Sequence, residues 1–253
     1  MKTKMQTGEP VVGVFVSIES PTTVELLAHA GVDFVMVDSE HNAITAGDAI
    51  NMYRAAEALG VPALTRIGEN TQQVISKFMD AGSRGVMMPM INSGEDAERL
   101  VSYVKYPPVG RRGLAAVRAN EYGMLGPMGD YVTAANDATA VVAQIETLEG
   151  IEHADAIINT PGVDIIFLGP TDLSVALGVP GEGKHEKVLD VITDLTKKIV
   201  AAGKVSGTIA RTPEDYGFWR DRGVGFFLTG ANALLGAATT AYVQATKAIE
   251  EGR

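Results

Sequence analysis

Eight short apolar runs, each followed by a stretch with helical periodicity, recur along the whole chain and leave few folds open to it. The runs cover residues 11–16, 34–37, 62–66, 85–89, 140–145, 163–168, 205–209 and 225–229. They are rich in Val and Ile and lack strict alternation, the pattern of parallel strands buried on both faces. The amphipathic stretches between them, 22–30, 46–59, 71–80, 94–104, 148–158, 187–202, 213–222 and 231–251, read as helices. Their boundaries carry signals of their own. Asn70 and Ser93 can cap the helices that follow, and Pro213 takes a first-turn position after Thr212. Gly31, Gly60, Gly82, Gly203 and Gly223 follow predicted helix ends. Eight strand–helix units spread over 253 residues predict an α/β fold, a (β/α)8 barrel occupying 1–253 as one domain. A doubly wound open sheet is the runner-up. It usually has fewer strands and a Gly-rich first βα turn, which VSIESPTT does not supply. Two segments break the rhythm. One is the long stretch 105–130, which carries Lys105, Arg111, Arg112 and Arg118, and the other is the Gly-rich link 179–186.

Composition excludes several function classes. The 46% apolar and 21% charged residues are ordinary globular values, which rules out disorder. Without cysteine there is no disulfide framework, thiolate zinc site or cysteine nucleophile. The net charge of -10 argues against a nucleic-acid partner, because phosphate contacts need clustered Lys and Arg. MKTKMQTGEP has no apolar core of the signal-peptide kind, and no apolar run approaches the roughly 18 residues of a membrane span. The expectation is a cytoplasmic protein without a membrane partner.

In a barrel of this kind chemistry sits at the C-terminal ends of the strands. Strand two ends in Asp38-Ser39-Glu40-His41, strand three in Arg66 and strand four in Pro89-Met90. Strand five puts Gln144 and Glu146 on one face at its end, and strand six ends in Gly169-Pro170-Thr171-Asp172. One rim thus collects His41, Arg66, Glu146 and Asp172, with Asp38 and Gln144 nearby. Two carboxylates at adjacent strand ends suit Mg²⁺ or Mn²⁺, which keep waters and take the rest of their shell from substrate. An arginine beside such a metal can stabilise an oxyanion, and a histidine can move a proton. Taken singly, each residue has a plainer reading. Asp172 is as readily a helix cap, His41 a loop histidine and Arg66 half of an ordinary ion pair. His29, His153 and His185 read as surface residues. No lysine sits at the predicted rim, which favours metal over imine chemistry. Residues 206–208 and 229–232 form a weak candidate phosphate site.

At these residues the chain resembles the metal-dependent (class II) pyruvate aldolases typified by 4-hydroxy-2-oxoheptanedioate aldolase, of the HpcH/HpaI aldolase/citrate lyase superfamily. The resemblance spans nearly the whole chain. It rests on VDSEH at 37–41, LTRIG at 64–68, MDAGSRGVMMPM at 79–90, YPPVGRRG at 106–113, QIET at 144–147 and LGPTDLS at 168–174. It implies a phosphoenolpyruvate/pyruvate-type barrel that reversibly cleaves a 4-hydroxy-2-oxo acid to pyruvate and an aldehyde. Glu146 and Asp172 would hold a divalent metal (Mg²⁺, Mn²⁺ or Co²⁺), and Arg66 would neutralise the enolate oxygen. His41, oriented by Asp38, would act through water as the acid/base. Asp80 would approach the His41 site of a neighbouring subunit. Gln144 would contact the metal-bound ligands, and the backbone around Gly169 and Thr171 would hold the pyruvate carboxylate. The helix at 231–251 would pack on a partner in a hexamer built as a trimer of dimers. The chain departs from the family at Phe15, where Trp is frequent, and at Glu19, where small polar residues are common. Two other readings stand beside this one. A barrel lyase acting on acyl-CoA esters, of the citrate lyase β kind, would use the basic loop 105–118 for the nucleotide. A non-catalytic barrel would be expected to have a broken rim.

Overall fold

The computed structural model describes residues 1–124 and 126–251. Their strands are β1 Val11–Val16, β2 Phe34–Asp38, β3 Ala63–Arg66, β4 Gly85–Met88, β5 Ala140–Ile145, β6 Ile165–Leu168, β7 Val205–Ile209 and β8 Phe226–Gly230. All neighbours pair in parallel, and β8 closes onto β1, giving a (β/α)8 barrel. The helices are α1 Lys2–Gln6, α2 Pro21–His29, α3 Ala46–Ala58, α4 Gln72–Ala81, α5 Gly94–Val104, α6 Met128–Ala138, α7 Leu148–Glu152, α8 Ala154–Asn159, α9 Pro170–Ala176, α10 Glu186–Ala201, α11 Pro213–Arg220 and α12 Ala231–Glu251. Among the described residues no helix is long and apolar enough to cross a membrane.

The alternation of the strands sorts their residues into two cores. Outward-facing residues such as Val35, Val37, Val86, Val141 and Ile166 pack under the helices. Inward-facing ones, among them Val11, Phe34, Leu64, Met87, Val142, Phe167 and Phe226, fill the barrel itself. Phe34 stacks on Phe226 with ring centroids 4.5 Å apart, and Phe167 meets Phe226 edge-on at 6.2 Å. Three rings fit one small barrel because glycines face them. A Cβ on Gly13 would lie 2.3 Å from the Phe34 ring, and one on Gly207 would lie 2.9 Å from both Phe167 and Phe226. The final inward layer is where the pattern turns polar. Asp38, Arg66 and Gln144 occupy positions that Phe or Met would continue, and burying them requires partners.

Several expectations hold at the level of single bonds. Ser93 Oγ accepts from the Asp96 N–H, and Thr212 accepts from that of Asp215 with Pro213 opening α11. The five predicted stop glycines all have positive φ. Others are corrected. Asn70 is not a cap: Thr71 starts α4, and the Asn70 amide donates instead to the Asp96 carbonyl of the next unit. The expected helix 148–158 is two short helices, because His153 leaves helical geometry and its Nδ1 lies 3.0 Å from the Asn92 carbonyl. Helices α1 and α6 were not expected. The first lays Met1 and Met5 against the inner core, which explains a helix too short to stand alone.

The basic cluster of segment 105–130 is dispersed. Lys105 is buried and donates to the carbonyls of Asn136 and Thr139. Arg112 is buried against Asp80 and the Tyr106 ring, and Arg118 pairs with Glu57. Burial lowers the Lys105 pKa to about 8 from the ordinary 10.5. Between those values the unfolded chain holds the proton that the folded one gives up, so stability gains as pH rises. Raising the pH from 8 to 10 is expected to relieve this cost. Chemical denaturation of Lys105→Met across the same range is expected to lack that upward contribution.

Candidate active site

Strand register brings the first pair together. Asp38 and Arg66 are Cα partners at the ends of β2 and β3. Arg66 Nε and Nη2 donate to the two Asp38 carboxylate oxygens at 2.9 and 2.8 Å, a bidentate fork. Arg66 Nε also lies 3.1 Å from Glu40 Oε2. Beneath it the Phe15 ring sits 4.4 Å from the guanidinium carbon. The cation is therefore fixed on three sides before any ligand arrives. The paired carboxylates hold its pKa above the usual value even though burial, the largest influence, acts the other way.

This arrangement corrects the expected role of Asp38. Its oxygens accept from Arg66, from Asn42 and from the Glu40 N–H, so it positions Arg66 rather than His41. His41 instead faces Glu40, with Nε2 3.7 Å from Oε2. Its loop is tied down on both sides. Ser39 Oγ donates to the Ile44 carbonyl at 2.6 Å, and Thr45 with Asp48 forms a capping box that starts α3.

The second half of the site comes from β4, β5 and β6. Gln144 and Glu146 lie on one face as expected, with the Gln144 amide donating to Glu146 Oε2. Glu146 Oε1 accepts from the Met90 N–H at 3.0 Å. Met90 is one of the few non-glycine residues with positive φ, 53°, and that left-handed turn carries the amide to the carboxylate. Gly169 closes over the pair. A Cβ there would lie 2.7 Å from Glu146 Oε2 and 3.0 Å from Gln144 Nε2, so any side chain would displace the pair from this arrangement. Pro170 opens α9, placing Thr171 and Asp172 in its first turn. Asp172 is exposed while Glu146 is buried. Burial first, and then the Asp172 charge, push the Glu146 carboxyl up to about 7. Glu40 is likewise raised by burial, with Asp38 and Asp172 adding to it and Arg66 and His41 opposing.

These residues surround a cavity of about 260 Å³ lined by Phe15, His41, Arg66, Gln144, Phe167, Gly169, Pro170, Thr171, Asp172, Ile209 and Arg211. Asp80 does not line it. Its carboxylate pairs with Arg112 at 2.7 Å on α4. The Arg111–Arg112 pair is also elsewhere, with Arg111 stacked on Tyr103. Ser206 and Thr208 do not make a phosphate site, because their hydroxyls bond Thr196 and the Leu168 carbonyl inside the structure.

Three contributors were not singled out from the sequence. Glu40 sits between two chosen residues in DSEH and was legible by position. The Met90 N–H was invisible, because it depends on a backbone angle. Arg211 lies two residues beyond β7, the same strand-end signal that marked the others. A divalent cation suits the donors present. Glu146 and Asp172 supply hard oxygens, and the buried Gln144 Oε1 has no hydrogen-bond partner.

Comparison with known proteins agrees with this geometry. Residues 11–233 match the family model described as HpcH/HpaI aldolase/citrate lyase. The chain belongs to that family. The match runs from β1 into the start of α12 and so covers every strand. A hydroxypyruvate/pyruvate aldolase of Paraburkholderia phytofirmans is 34% identical over 241 residues, 92% of each chain. A 2-dehydro-3,6-dideoxy-6-sulfogluconate aldolase of Pseudomonas putida is 36% identical over 85% of this chain and 83% of its own. The crystal structure of an HpcH/HpaI aldolase from Desulfitobacterium hafniense superposes with a TM-score of 0.91 at 30% identity, covering 98% of this chain and 96% of the other. None of these three carries the 4-hydroxy-2-oxoheptanedioate name. What they share with the expected resemblance is the family and its aldolase, hence lyase, chemistry.

Proposed function

We propose that this protein is a divalent-metal-dependent aldolase that reversibly cleaves a 4-hydroxy-2-oxo acid to pyruvate and an aldehyde. One arrangement carries the reading: Glu146, held by Gln144 and the Met90 N–H, and Asp172 stand at neighbouring strand ends beside a cavity that Arg66 and Asp172 line. Two carboxylates that oppose each other's charge are stable together when a cation joins them. Glu146 and Asp172 would hold the metal, which when bound would polarise the keto oxygen of the substrate.

The remaining roles fall to this chain's own groups. Arg66, locked by Asp38 and Glu40, offers fixed positive charge to the oxygen that becomes negative as the carbon–carbon bond breaks. His41 is the exposed base at the mouth and takes the proton from the 4-hydroxyl, directly or through one water. The backbone from Gly169 to Thr171 positions the pyruvate half, whose carboxylate is suited to free amides in the first turn of α9, and Gln144 would contact the metal-bound ligands. Asp80 is proposed to complete the site of a neighbouring copy. In keeping with a hexamer, α12 extends past Ala231 with Leu234, Leu235, Tyr242 and Ile249 exposed, a face suited to a partner subunit.

The arrangement of the basic loop does not favour the acyl-CoA reading. The basic loop that would have met the nucleotide is spent on Asp80, Glu57 and backbone carbonyls. A pyruvate-release screen over 4-hydroxy-2-oxo acids, with and without Mg²⁺, Mn²⁺ or Co²⁺, tests the proposal. Pyruvate release that requires metal is expected. Release undiminished by a chelator, or turnover only of CoA thioesters, rejects it.

A further inference from the structure

The site continues past the cavity just described. A second cavity, of about 240 Å³, shares Pro170, Ile209 and Arg211 with it and runs along α11 over Leu189, Phe218 and Trp219. With the pyruvate half proposed at the backbone from Gly169 to Thr171, the direction along α11 is open to the aldehyde half. Its walls are largely apolar and suit a short carbon stem.

Three cations border the two cavities, and two of them are neutralised. Arg66 is held by Asp38 and Glu40, and Lys184 pairs with Asp215 at 2.6 Å. Arg211 is different. Among the described residues its guanidinium has no carboxylate within 4.0 Å, and its Nη2 reaches only the Thr171 hydroxyl at 3.3 Å. The two acids beside it on α11 are already engaged. Asp215 uses one oxygen on Lys184 and the other on the Arg211 backbone N–H, while the Glu214 carboxylate folds back onto its own N–H and the Thr212 side chain. An unneutralised guanidinium where the two cavities meet is a receptor for an oxyanion.

We propose that Arg211 selects acceptor aldehydes that end in an oxyanion, a carboxylate or sulfonate a few carbons from the aldehyde carbon. This rests on the aldolase reading and names the substrate class of the same site. The test compares addition of pyruvate to 4-oxobutanoate, to 3-oxopropanesulfonate and to neutral butanal, using wild type, Arg211→Ala and Arg211→Lys with metal present. Exchange of the pyruvate methyl protons with solvent is followed in parallel without aldehyde. Wild type is expected to prefer an anionic acceptor, and the two anionic arms tell carboxylate from sulfonate. Arg211→Ala is expected to lower the anionic-to-neutral ratio of kcat/KM by about 10- to 100-fold, chiefly through KM, the worth of one hydrogen bond to a charged group. Arg211→Lys is expected to restore part of it. A ratio equal in all three proteins overturns the inference. So does an Arg211→Ala loss that falls alike on exchange and on all aldehydes, which would assign Arg211 to the pyruvate half or to the fold. Wild-type protein that exchanges pyruvate protons but shows no anion preference overturns this inference alone. Wild-type protein that neither exchanges nor condenses overturns the aldolase reading as well.

Discussion

Replacing Arg66 by alanine is expected to lower pyruvate release by about 10²- to 10³-fold, the usual loss when one fixed electrostatic contact to a developing oxyanion is removed. It is also expected to lower Tm. Asp38 and Glu40 are mostly buried and share this one cation. Removing it leaves two acids without their counter-charge, and breaking a buried pair from one side costs about 3–5 kcal/mol. For a chain of this size that corresponds to a fall on the order of 10 °C. The two losses can be separated. Adding Asp38→Asn to Arg66→Ala removes one stranded charge and is expected to recover part of the Tm without recovering turnover. Thermal melts and steady-state kinetics on the same preparations read both. Full activity in the folded Arg66→Ala protein would falsify the role given to this residue.

Glu146→Gln is expected to act in opposite directions on stability and on function. The carboxyl is pushed up to about 7 because it is buried and Asp172 adds its charge. A neutral amide of the same shape removes that cost and can still accept from the Met90 N–H. The metal-free variant is therefore expected to melt roughly a few degrees higher than wild type at pH 8. Its Mn²⁺ affinity, measured by calorimetric titration, is expected to fall at least about 100-fold, more than is typical for losing an outer partner of a ligand. Turnover should fall with it. Unchanged Mn²⁺ affinity would remove Glu146 from the metal site and leave the mechanism without its anchor.

The parts of the site that were legible share a property: each depends on short-range periodicity. Gln144 and Glu146 are two apart on a strand, so their shared face follows from the pleat alone. Asp38, Arg66 and Asp172 were found because a strand end is marked by the run that precedes it. The stop glycines and the Ser93 and Thr212 caps are local for the same reason. What was misjudged depends on groups distant in sequence. Asp38 sits near His41 in the chain, yet the β2–β3 register gives it to Arg66, 28 residues away. Arg112 looked free beside Arg111 until α4 brought Asp80 to it. Asn70 looked like a cap until the next unit offered the Asp96 carbonyl.

The amino-acid sequence by itself determined the eight-fold repeat, the barrel and the strand ends where chemistry collects. These follow from 2- and 3.6-residue periods, which are properties of a few neighbouring residues. Only the tertiary structure decided how the charges divide. Barrel closure leaves Arg66 flanked by two acids, brings Asp172 close to Glu146 and leaves Arg211 without a carboxylate. Electrostatic pairing acts through space over a few ångströms, and residues that distant in sequence become neighbours only when the strands are in register.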